Sequence, residues 1–178
     1  MILIVIILII LSIYYYYRSP KHVGAVHSNK CHYFGTLQFS AQEFYTLVEQ
    51  IMLSRQIPDV KMSRVNYNEA GMLSNKREYL RIERKEDIFD ICAAPIGNGF
   101  FVSYWQGEPK HGTRDLAMKV PLLNTVVEGW QGTTYYQLDT ASMFKLCVKD
   151  SITEAIEQVT TSKGIRGLSE TERLAFSA

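Results

Sequence analysis

The stretch that decides the fold is REYLRIERKEDIFDICAAPIGNGFFVSYWQ, residues 77–106. In its first part Leu80 and Ile82 point to one face while Tyr79, Arg81 and Glu83 point to the other, the alternation of a strand in a sheet with one solvated side. The period stays at two through Ile88 to Ala94 and Phe100 to Gln106, with Lys85 to Asp87 and Gly97 to Gly99 as the turns between them. Upstream, Val60 to Tyr67 reads the same way and is followed by the turn residues Glu69 to Gly71. Four antiparallel strands are expected. Arg81, Glu83, Arg84, Lys85, Glu86 and Asp87 read as a solvated hairpin tip, because mixed-sign charges are the ordinary surface of a hairpin.

The last of these strands differs from the others. Phe100, Val102 and Tyr104 occupy one of its faces, and Phe101 and Trp105 the other. A strand apolar on both faces lies in the sheet centre under two covers or presents an aromatic face to a partner. Phe101, Tyr104 and Trp105 are therefore the candidate partner-binding residues, since they exceed the aromatic surface that four strands must bury. Cys92, Ala93 and Ala94 are small enough to let a helix pack closely.

Helical periods flank the strands. Ser40 and Glu43 form a capping box behind Phe39, and Phe44, Leu47, Val48, Ile51 and Met52 then mark one apolar face from about Ala41 to Arg55, before Pro58. Asp139 or Thr140 can cap a second long helix, with Phe144, Val148, Ile152, Ile156 and Val159 on its buried side and Gly164 as its stop. Ser169 and Glu172 form another capping box, opening a short helix through Leu174. The expected domain, residues 31–178, is α+β: two long helices packed on a four-stranded antiparallel sheet.

The amino-terminal run MILIVIILIILSI continues into Tyr14 to Tyr17, and no charge precedes Arg18. As a helix, residues 1–17 would span about 25 Å, slightly less than a hydrocarbon core of ~30 Å, with the tyrosines at headgroup level. One transmembrane anchor is expected there. Arg18, Lys21 and Lys30 follow it, which places the amino terminus outside and the domain in the cytoplasm. Residues 18–30 read as a juxtamembrane tether, with Pro20 ending any helical continuation. LAMKVPLLNTVVEGW, from Leu116, is too short and too polar to cross a bilayer, and residues 117–130 read as a core connection or a segment lying on the membrane surface.

Composition narrows the function classes. Nineteen Lys and Arg against eighteen Asp and Glu leave a net charge of +1, so there is no basic surplus to recruit nucleic acid. Three cysteines cannot all pair within one chain, which excludes a disulfide scaffold and fits a reducing compartment. The signatures GxSxG, HExxH, CxxC and the phosphate loop are absent from the sequence. Gly97 and Gly99 precede a strand and not a helix, so they read as a hairpin turn. GWQG at 129–132 matches an RNA-binding loop by four letters only.

Two chemical constellations can be drawn. His22, His27, Cys31 and His32 are suitable zinc or copper ligands, but their spacing matches no common finger. Cys92, His111 and Asp115 supply a nucleophile, a base and an orienting acid by residue type, although Cys92 lies in an apolar strand where an inert thiol is the default. No metal, cofactor or catalytic residue is assigned from these patterns.

The blocks FDICAAPIGNGFFVSYW, TYYQLDTASMF and KGIRGLSETER resemble shared segments of a family of uncharacterised bacterial membrane-associated proteins. The resemblance implies a bacterial inner-membrane setting and no activity. The expected function is a membrane-anchored binding or scaffold module that contacts the bilayer through residues 1–17 and a protein partner, or further copies of itself, through its domain. A small membrane-linked enzyme acting on a lipid or nucleotide, and a membrane-perturbing effector, are the alternatives.

Overall fold

In the computed structural model the described residues are Ile7 and residues 23–68, 76–109 and 134–177. The strands are β1 (Val23–Phe34), β2 (Lys61–Asn68), β3 (Lys76–Arg84), β4 (Asp87–Ile96) and β5 (Gly99–Pro109). The helices are α1 (Ala41–Ser54), α2 (Tyr135–Ser162) and α3 (Glu170–Ser177). The strands form one antiparallel sheet in the order β1-β5-β4-β3-β2.

The expectation of four strands is corrected to five. Val23 to Lys30, read as a tether, form most of β1, which runs along β5 from Val23 opposite Pro109 to Phe34 opposite Phe100. Histidines, two lysines and an asparagine hide the period in KHVGAVHSNKCHYF. Pairing with β5, not apolar content, makes this segment a strand, with two register shifts between Val23 and Ser28. Asn29 Nδ2 donates to the Tyr104 carbonyl at 3.1 Å, a side-chain tie across the same pair.

The membrane anchor is also corrected. Among the described residues no helix is long and apolar enough to cross a membrane. The single-pass span expected over residues 1–17 is not part of the described fold, and that run, Ile7 apart, lies outside the described residues, as do residues 117–130.

α1 begins where its cap predicts, the Glu43 N–H donating to Ser40 Oγ at 3.4 Å. α2 begins earlier than Asp139. Thr134 and Gln137 form a capping box, Gln137 N–H donating to Thr134 Oγ1 at 3.3 Å and Thr134 N–H to Gln137 Oε1 at 2.9 Å. α3 opens on the expected box, with Ser169 N–H donating to Glu172 Oε2 at 2.7 Å. Those hydrogen bonds to Ser169 hold the Glu172 carboxyl below its usual range.

All three helices pack on one sheet face, carrying Leu80, Ile82, Phe89, Ile91, Phe100, Val102 and Tyr104. Phe44 of α1 meets Phe100 at 5.8 Å between ring centroids, Phe144 of α2 meets Phe89 at 6.0 Å, and Phe176 of α3 meets Tyr104 at 5.2 Å. β3 and β4 pair only from Leu80–Ile91 to Arg84–Asp87, so Ala93 lies beyond the ladder. The buried hydroxyl of Tyr45 fills that gap, accepting from Ala93 N–H at 2.9 Å and donating to the Glu78 carbonyl at 2.8 Å. Burial raises the pKa of this phenol, which keeps the proton it donates.

Candidate functional site

The other face of the sheet carries no helix among the described residues. Register places its side chains in rows. Ser63, Arg81, Asp90, Trp105 and Asn29 lie opposite one another across β2, β3, β4, β5 and β1. In the next row Val65 and Tyr79 are paired across β2 and β3, and Cys92, Ser103 and Cys31 across β4, β5 and β1, and beyond it lie Ala94, Phe101 and Tyr33.

The centre of this face is ionic. Arg81 Nε donates to Asp90 Oδ1 at 2.7 Å and Arg81 Nη2 to Asp90 Oδ2 at 2.8 Å, with both side chains only 3% exposed. This two-pronged geometry fits a planar guanidinium to a carboxylate and fixes both groups in position. Tyr67 of β2 closes the group: its hydroxyl donates to Asp90 Oδ2 at 2.7 Å and accepts a short contact from Arg81 Nη2. Burial works against the Arg81 charge, but the hydrogen bond and charge of Asp90 outweigh it, so its pKa is raised. The Tyr67 phenol is raised as well, by burial and then by the Asp90 carboxylate that accepts its proton.

Arg81 was expected at a solvated hairpin tip and is instead buried in this pair. Asp90 was not singled out at all. A signal for both exists in the turn: the ladder pairs Arg84 with Asp87, so only Lys85 and Glu86 turn the corner, and counting back places Arg81 opposite Asp90.

The predicted contact residues divide between the two faces. Trp105 is 42% exposed and faces Asp90 across the β4–β5 pair, and Phe101 is half-buried on the same side beside the exposed Tyr33. Tyr104 is fully buried among the helices, and its hydroxyl donates to the Phe176 carbonyl. The strand alternation separates it from Phe101 and Trp105, so the three do not form one surface.

The two constellations drawn from residue type are not assembled among the described residues. No group of three or more His, Cys, Asp or Glu that could hold a metal occurs there. His27 pairs with Glu108 at 3.1 Å, Cys31 and His32 point to opposite faces of β1, and His22 lies outside the described residues. His111 and Asp115 also lie outside them. Cys92 is buried, and burial raises its thiol pKa against the opposing effects of Arg77 and Tyr79. A thiol reagent is expected to modify exposed Cys31 first and to reach Cys92 only on unfolding. Mass mapping of the adducts with time checks this order, and early modification of Cys92 would refute the assignment of an inert core thiol.

The chain matches no protein-family model, no curated protein and no solved structure in these comparisons, and none of them bears on the resemblance of the three sequence blocks.

Proposed function

We propose that this domain is a protein-binding module that engages its partner through the sheet face opposite α1, α2 and α3 and acts by contact, not turnover. The observation that carries the reading is Trp105, 42% exposed on an interior strand, with Phe101 and Tyr33 two rows further along the same face. Tryptophan and tyrosine supply large contact area at little cost in rotamer entropy, and a five-stranded sheet holds them in place before binding. The buried Arg81–Asp90 pair beneath stiffens that platform, because both side chains are fixed by two hydrogen bonds. Cys92 is a core thiol on this face and supplies no accessible nucleophile.

The test uses a photo-crosslinking amino acid at position 101 in the cells that make the protein. One dominant adduct is expected, and Trp105→Ala is expected to remove it while changing folding stability by no more than about 0.5 kcal/mol, as for an exposed site. Diffuse crosslinking that Trp105→Ala leaves unaltered would sink the reading.

A further inference from the structure

We propose that α3 is a displaceable strap and that the ground beneath Phe176, between β1, β5 and α2, is a second binding site, for a partner's amphipathic helix that carries an aromatic anchor in its last turn. α3 occupies this site as a built-in ligand.

The strap is held at few points. From Thr161 to Ser177 the one buried residue is Phe176, while Ile165 and Leu168 are only partly covered. The Phe176 ring stands edge-on to Tyr104, at 5.2 Å and 87°. One ion pair, between Arg173 and Glu157 of α2, completes the attachment, while Arg166 and Glu172 pair within the strap itself, and all four of those side chains are more than a third exposed. Segments with little buried apolar contact open at lower free energy than the fold as a whole. The connection supports such opening: Gly164 takes a φ of +64°, a conformation that lets the chain turn sharply out of α2.

What lies beneath is selective. Tyr104 packs on Phe89 at 5.9 Å, giving an aromatic floor on the helix-bearing face of β5. Its hydroxyl donates to the Phe176 carbonyl, which belongs to the last turn of α3. The final carbonyls of any helix lack intrahelical donors, so this hydroxyl recognises a helix carboxyl end and not a particular side chain. Burial pushes the Tyr104 phenol up to about 12, which keeps the donor protonated at any physiological pH. Aromatic ring, terminal carbonyl without an intrahelical donor and helical frame are the three features the site reads, and α3 supplies all of them.

Two measurements on the full chain decide the matter. In hydrogen exchange, α3 amides are expected to exchange by local opening, at least tenfold faster than those of β4, and Tyr104→Phe is expected to speed α3 about fivefold further while leaving β4 unchanged, as loss of one hydrogen bond implies. Separately, a labelled peptide of residues 163–177 is added to the Phe176→Ala chain. Saturable binding is expected there, at least tenfold tighter than to the unmodified chain, and none with a peptide that itself carries Phe176→Ala. Exchange of α3 only at the rate of β4, a Phe176→Ala chain that unfolds as a whole, or a folded one that ignores the peptide would each overturn the proposal.

Discussion

Replacing Asp90 by Ala is expected to cost about 3–5 kcal/mol of folding stability, the usual range when one partner of a buried ion pair is removed. Two charges at 3% exposure have lost nearly all their hydration, and their mutual hydrogen bonds compensate for that loss only while both are present. Without the carboxylate, Arg81 keeps its charge, since guanidinium does not deprotonate in proteins, and it stays buried beside Tyr67. Against a total of about 5–15 kcal/mol for a domain, the variant should sit near the edge of folding. The double replacement Arg81→Met with Asp90→Leu should recover most of the loss, because apolar groups of similar size carry no desolvation cost. Urea unfolding of the three chains measures both statements. If Asp90→Ala costs under about 1 kcal/mol, water reaches the pair and the sheet face opposite the three helices is not the rigid platform assigned to it.

The pair also marks where sequence reading stopped short. The period of two in β3, β4 and β5 was legible because Leu80, Ile82, Phe100 and Val102 alternate strictly with other residues, and one face of each strand must be buried. Arg81 was misplaced because its neighbours Glu83 to Asp87 are charged, which makes the whole hairpin look solvated. Placing the turn at three residues and not at Lys85–Glu86 loses the register that brings Asp90 opposite Arg81. β1 was invisible for a different reason. Its stabilisation comes from the open edge of β5, a non-local partner, and local composition carries no trace of that. The start of α2 was missed because Thr134 and Gln137 cap a helical extension with no buried residue before Phe144, so the apolar period begins more than two turns after the helix does.

Tyr104 and Trp105 show how one strand serves two purposes. They are adjacent in sequence, alike in type and opposite in role: Tyr104 is enclosed by Phe89 and Phe176, and Trp105 stands open over Asp90. Candidate contact residues were chosen by aromatic excess, which counts both. Only the cover on each face distinguishes them, and that cover comes from α2 and α3, elements more than thirty residues away in the chain.

Phe89→Ala is expected to destabilise the fold by about 3–5 kcal/mol, the range for truncating a buried aromatic. Phe89 is fully buried, and its ring meets Phe144 of α2 at 6.0 Å and Tyr104 of β5 at 5.9 Å. Its loss therefore opens a cavity where the long helix meets the floor of the α3 site, and neither neighbour can fill it without leaving its own contacts. Phe144→Ala alone should cost a similar amount, and the double variant should cost less than the sum by about 0.5–1.5 kcal/mol, the interaction of an edge-to-face pair. Denaturant unfolding of the four chains yields that coupling directly. The comparison with Trp105→Ala bears on function as well as on packing. Both residues belong to the two central aromatic strands, yet one is expected to carry several kcal/mol and the other nearly none. A Trp105→Ala cost that rivals Phe89→Ala would mean that the exposed indole is a structural member of the domain, and the contact reading of the sheet face opposite the three helices would lose its anchor.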